Sequence, residues 1–158
     1  VMRYVSLSLL CLFIYSCGYS LVSNNPTKLD ALIIFESTPL NKLLVKNIKS
    51  NQGYVGLNLS KTDQVDLKIR IISQRIGKFL SATDKNLTPA VGSIEYALEY
   101  EFILDDKIIS QSFYDSELYP YNTSNILSND KITEKIKNSF LDKALDNIKF
   151  NLIEISNG

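Results

Sequence analysis

The chain of 158 residues contains no histidine and no tryptophan, one methionine and two cysteines, and its 17 basic residues are balanced by 17 acidic ones. Each shortage excludes something. Without histidine the chain lacks the commonest general base and the commonest metal ligand. Catalysis would fall to carboxylates, Lys, Tyr or Ser, and no Gly-x-Ser-x-Gly elbow presents a serine nucleophile. A net charge of zero is not the strongly basic balance that a nucleic-acid partner calls for. Both cysteines, Cys11 and Cys17, lie near the N terminus, so the rest of the chain has no thiol for a disulfide or a metal site. We expect no enzyme, no cofactor and no nucleic-acid partner.

What is present begins with a targeting segment. One positive charge at Arg3 precedes a run from Tyr4 to Tyr15 with no charge, Gly or Pro, which is too short for the ~20 apolar residues of a membrane span. The run ends Ile14-Tyr15-Ser16-Cys17, which resembles a bacterial lipobox: apolar, variable, small, then Cys. The resemblance implies that the Cys17 thiol is diacylated, that cleavage before it frees the amine, and that the amine is acylated too. Acyl chains in that number exceed the two membrane signals needed for stable anchoring. Gly18 stands where the resemblance would need Asp for retention in the inner membrane, so the outer membrane is the expected destination. The alternative is a soluble secreted protein with a free Cys17. Residues 1–16 then form the signal peptide, 17–28 a lipidated tether and 29–158 a single domain. Losing Arg3 leaves 16 basic against 17 acidic residues, a formal charge of −1.

Along the domain two periods alternate. Ala31 to Glu36 is an apolar run bounded by turn residues, a buried strand. Ser37-Thr38-Pro39 offers a helix start, Leu40, Leu43, Leu44 and Ile48 follow at helical spacing, and Gly53 can end the helix. Tyr54 to Leu59 reads as a short edge strand. Val65, Leu67, Ile69 and Ile71 alternate with Asp66, Lys68 and Arg70 at the strand period, and Ile71-Ile72 breaks the phase as a bulge would. The apolar set then continues as Ile72, Ile76 and Phe79. Ser81 to Ser93 reads as a polar connection.

Ile94, Tyr96, Leu98, Tyr100, Phe102 and Leu104 share one face of the clearest strand, whose register a one-residue slip would invert. Asp105-Asp106 turns it into a return strand, Lys107 to Tyr119, which is apolar on both sides: Ile109 and Phe113 on one, Ile108, Tyr114 and Leu118 on the other. The second set predicts contact with something besides solvent. Asp130 can cap a final helix whose stripe is Ile132, Ile136, Phe140, Leu141, Ala144, Leu145, Ile148 and Leu152. This order predicts an α+β two-layer sandwich: a mainly antiparallel sheet of about four strands with two helices on one face.

At these residues the chain resembles the lipopolysaccharide-assembly lipoprotein family, LptE. Cys17-Gly18-Tyr19-Ser20-Leu21 is similar to the family's Cys-Gly-aromatic-x-Leu start, and Ile94-Glu95-Tyr96-Ala97-Leu98 to the Glu-Tyr-x-Leu/Met opening of its central strand. The strand and helix order that follows is also the same. Basic residues that family members often carry near these motifs are replaced by Val22 and by Ala90-Val91-Gly92. The resemblance implies a lipid-anchored plug of a large outer-membrane β-barrel, LptD, which it helps to fold and to deliver lipopolysaccharide to the outer leaflet.

Candidate lipopolysaccharide contacts are Lys68, Arg70 and Lys135. For Lys68 and Arg70 the competing reading is cross-strand pairing with Glu95, Glu99 or Glu101, and for Lys135 a solvated helix face. Ile108, Tyr114, Leu118, Tyr119 and Tyr121 are the candidate barrel contacts, with ordinary hairpin-end packing as the alternative for the tyrosines. Two other functional classes stand beside the plug. One is an outer-membrane lipoprotein that binds a lipidic ligand or serves another assembly machine; the other is a Ser/Lys hydrolase, disfavoured by the missing histidine.

Overall fold

A computed structural model describes residues 28–105 and 107–157. It is α+β, with element order β1 (Leu29–Ile34), α1 (Pro39–Ser50), α2 (Gln52–Val55), β2 (Leu57–Leu59), β3 (Leu67–Thr83), β4 (Pro89–Leu104), β5 (Lys107–Pro120) and α3 (Ile126–Asn157). The strands form one open sheet in the order β2-β1-β3-β4-β5. Both long helices lie on the same face, side by side, where the Asn47 amide of α1 donates to Asp142 of α3 at 3.0 Å.

The sheet has five strands and is mixed, where about four mainly antiparallel strands were expected. The pairs β3–β4 and β4–β5 are antiparallel hairpins, but β1 pairs in parallel with both β2 and β3. The reason is α1: a helix returning along the sheet brings the chain back to the end where β1 began, so the next strands start there again. The short edge strand expected near residues 54–59 is real but confined to Leu57–Leu59, because residues 52–55 form the one-turn helix α2. Gly56 rather than Gly53 ends that helical stretch. It takes φ 82°, a left-handed conformation open to glycine without a Cβ penalty. The start of α1 is as expected, with the Thr38 side chain accepting from the Asn41 N–H and proline in the first turn.

Burial along β4 follows the sequence pattern: Ile94, Tyr96, Leu98, Tyr100 and Phe102 are buried under the helices. Phe140 of α3 stacks on Tyr96 with ring centroids 5.8 Å apart, and Phe113 of β5 lies 5.8 Å from the same ring. Leu44, Val45 and Ile48 of α1 complete the core above Leu67 and Ile69. The hydroxyl of Tyr100 donates to Asn147 at 2.8 Å and accepts from Asn151 at 2.7 Å, so its polar tip is satisfied inside the layer. Burial pushes the Tyr100 phenol up to about 12, the Asn151 hydrogen bond opposing, and burial raises Tyr96 also, against the hydrogen bond from Gln74.

A register shift between Ile71 and Ser73 confirms the bulge. It also changes which side chains share a face. Beyond it Ile76 pairs with Tyr96 on the helix side, whereas Phe79 pairs with Ser93 and points to the opposite face. Ile76 and Phe79 therefore do not belong to one apolar set. The expected polar connection at 81–93 is mostly strand: β3 runs on to Thr83, the chain turns over residues 84–88, and β4 starts at Pro89. Two glycines of the β3–β4 pair leave room for rings. A Cβ at Gly77 would meet the Phe79 ring at 2.6 Å, and one at Gly92 would collide with the ring of Tyr119 directly across the strand pair.

The turn between β4 and β5 is as short as expected, with Asp105 at φ 48°. The final helix starts earlier than expected: Ile126 opens it, and the Asn125 side chain, not Asp130, accepts from the Ser128 N–H. Asp130 lies inside the helix.

Candidate functional site: the uncovered face of the sheet

Pairing registers assign every strand residue to one of two faces. Helices α1 and α3 cover the first. On the second face, rows across β3, β4 and β5 read Arg70–Glu101–Ser110, Ser73–Glu99–Ser112, Arg75–Ala97–Tyr114 and Phe79–Ser93–Leu118. The row nearest the β4–β5 turn adds Lys68, Ile103 and Ile108. No element of the described residues covers this face.

Ile108, Tyr114 and Leu118 stand on it with 57%, 61% and 66% of their surface exposed. They alternate with Ile109 and Phe113, which pack against the core. The two-sided apolar pattern of β5 is thus divided between a buried and a bare face. Ile72, extruded at the bulge, adds apolar surface beside a shallow depression of about 410 Å³ that Glu99, Glu101, Ser110 and Ser112 also line. Phe79 contributes at the far end; the phase break at Ile71-Ile72 was the signal that could have placed it here.

Tyr119 does not join this surface. It pairs with Gly92 on the helix face and is 5% exposed, filling the space a Cβ would take, which corrects its assignment as a docking residue. Burial raises its phenol pKa, with Tyr121 and Asp130 acting in the same direction. Tyr121 is half-buried with its ring 6.4 Å from Tyr119, so hairpin-end packing accounts for both tyrosines.

Some charges on the bare face are paired, while Arg75 and Glu95 meet no opposite charge among the described residues. Arg70 meets Glu101 at 3.2 Å, and Glu101 also accepts from the Ser110 hydroxyl at 3.5 Å. Ser73 donates to Glu99 at 3.1 Å. Lys68 pairs with Asp63, from the loop before its own strand, at 3.4 Å rather than with a glutamate of β4. Exposed pairs of this kind contribute about 0.2–1 kcal/mol each. The structure does not bring the three candidate lipopolysaccharide cations together. Lys135 is exposed on α3, on the other side of the sheet from Lys68 and Arg70.

The helix side has grooves at the start of α3. Lys78 donates to the Thr133 hydroxyl at 3.0 Å and lies 4.0 Å from Asp130, between hollows of about 350 Å³ and 280 Å³. The Ser-x-x-Lys spacing at Ser128 and Lys131 falls in the first turns of α3, where the serine N–H is taken by the Asn125 cap and the lysine is exposed. Among the described residues, no three His, Cys, Asp or Glu side chains group around a metal position, and no helix is long and apolar enough to cross a membrane. Cys17 lies outside the described residues.

No protein-family model and no curated protein matches the chain. Solved structures do. The rare lipoprotein B from Shewanella oneidensis superposes with a TM-score of 0.65 at 14% identity, over 80% of this chain and 96% of that one. A minor lipoprotein from Acinetobacter baumannii gives 0.58 at 11% identity, over 77% and 91%. An uncharacterized lipoprotein B from Nitrosomonas europaea gives 0.67 at 10% identity, over 84% and 86%. At such identities the likeness establishes a shared fold across nearly the whole of each neighbour.

Proposed function

We propose that this protein is an outer-membrane lipoprotein, anchored through Cys17, that occupies the lumen of an LptD-type β-barrel, supports the barrel's assembly and takes part in lipopolysaccharide transport to the outer leaflet. It works by binding and not by catalysis. The lipobox-like run ending at Cys17 supports the anchor, and the shared fold with proteins described as lipoproteins supports the class.

The observation that carries the barrel reading is the bare sheet face. Ile108, Tyr114 and Leu118 are left more than half exposed by the fold, yet they lie in line along one edge strand, among charges and serines. A polar, water-lined barrel interior suits such a mixed surface better than a lipid or a dry protein core does. A luminal fit would bury more than the ~1,600 Å² of a standard interface, so single alanine changes should be tolerated.

The test is a charge pair placed in that line. Tyr114→Asp with Leu118→Asp, supplied in cells depleted of the native protein, should leave this chain folded. Recovered barrel should fall, and the envelope should become leaky to large antibiotics. Normal barrel abundance and normal surface lipopolysaccharide, with the variant confirmed folded, would remove this face from the interface and favour a lipoprotein serving a lipidic ligand or another machine.

A further inference from the structure

Helix α1 carries a second surface that neither the core nor the bare sheet face uses. Lys42, Lys46 and Lys49 follow one another at spacings of four and three, so they form a single stripe along one side of the helix. All three are exposed, α1 contains no acidic residue, and among the described residues no carboxylate reaches ion-pair distance of any of them. Other exposed cations also lack an ion-pair partner, but the lysines of α3 are interleaved with Asp130, Glu134, Asp142 and Asp146, whereas those of α1 stand with no acidic residue on their own helix. Helix stability does not explain the stripe. Lys49, in the last turn, complements the helix dipole, but Lys42, near the first turn, opposes it, and like charges one turn apart repel.

The stripe borders a groove of about 410 Å³ whose floor includes the half-buried ring of Phe35 and Val45. Its position follows from topology. Because α1 runs back along the sheet, its Lys49 end returns to the pole where β1 begins, and there the Leu29 N–H donates to the Gly56 carbonyl at 3.1 Å. Residues 1–27 join the fold at this same pole.

We propose that the α1 stripe seats the anionic headgroups of a phospholipid bilayer, orienting the domain against the membrane at the pole where its N-terminal segment enters. A stripe spanning roughly 10 Å of helix, at 1.5 Å per residue, matches a plane of headgroups better than one small anion. Lysines near such a surface are each attracted by it. The stripe is on the helix-covered side of the sheet, away from the bare face, so a barrel contact there and a membrane contact here do not compete. The proposal needs neither the barrel nor acylation of Cys17.

The test uses the purified full chain with vesicles of phosphatidylcholine, with or without phosphatidylglycerol, a brief acetylation of lysines, and peptide mass spectrometry. Phosphatidylglycerol should slow acetylation of Lys42, Lys46 and Lys49 about fivefold each at low salt. High salt should restore the rate, while the exposed Lys85, in the turn between β3 and β4 at the opposite end of the sheet, serves as the unaffected reference. Equal rates on both vesicles would overturn the proposal, as would slowing of every lysine alike. Inorganic phosphate added to phosphatidylcholine vesicles provides the remaining arm: protection there equal to that by phosphatidylglycerol would make the groove a small-anion site and refute the membrane reading.

Discussion

The two faces of this sheet are made by the same strands and have opposite fates. On the helix side, β4 presents Ile94, Tyr96, Leu98, Tyr100 and Phe102, none more than 1% exposed. On the other side the same strand presents Glu95, Ala97, Glu99 and Glu101, and the apolar surface there comes from Ile108, Tyr114 and Leu118 of the edge strand β5. The difference separates what holds the domain together from what is left over. A side chain on the first face acts through burial, and one on the second acts on stability only through exposed pairs. Any strong requirement for the second face must come from outside the fold.

Leu98→Asp should have the largest effect. An unpaired carboxylate placed among Tyr96, Tyr100 and Phe140 should abolish the cooperative melt, because a buried charge without a partner is among the most destabilising changes known. A melting temperature within a degree or so of the parent would remove that face from the core, since 1 kcal/mol shifts a domain of this size by roughly 2–8 °C.

Tyr100→Phe should have a middle effect. It leaves Asn147 and Asn151 without the hydroxyl they share, for about 1–3 kcal/mol, measurable by urea unfolding. It also has a pH signature. The folded Tyr100 phenol titrates at about 12, above the 10.0 of a free tyrosine, so the native state holds its proton more tightly than the unfolded chain does. That share of stability is complete below pH 10 and is lost as pH rises toward 12. Stability should therefore fall across this window, and less steeply in Tyr100→Phe; Tyr96, also raised, keeps part of the slope. An unchanged slope would show that Tyr100 is not held neutral by the fold.

The smallest effect belongs to the bare face. Arg70→Ala breaks the pair with Glu101, whose partners are both partly in solvent, and should change unfolding stability by no more than about 1 kcal/mol. A loss several times larger would mean that this face, like the helix-covered one, is structurally committed.

Much of the fold was legible where local chemistry decides it. The capped start of α1, the alternation of β4, the tight turn at Asp105 and the apolar stripe of α3 each rest on residues within one element. The division of β5 into Ile109 and Phe113 on one side and Ile108, Tyr114 and Leu118 on the other was also legible, because side-chain direction alternates strictly along a strand. The long β3–β4 extension was not. Residues 81–83 and 89–93 lack an apolar face of their own, and pairing with the partner strand holds them extended. Nor was the burial of Tyr119, which depends on the empty space above Gly92.

From the residues alone came the two long helices, the inward face of β4 and the presence of apolar side chains on both sides of β5. Packing and strand pairing settle which of these stay bare, that Lys68 and Arg70 face away from Lys135, and that the Lys49 end of α1 comes back to the pole where the chain enters. The reason lies in how each is specified. Periodicity is carried by neighbours along the chain, whereas the face a residue takes beyond the bulge, and the end of the sheet to which a helix returns, are set by hydrogen bonds between residues distant in sequence.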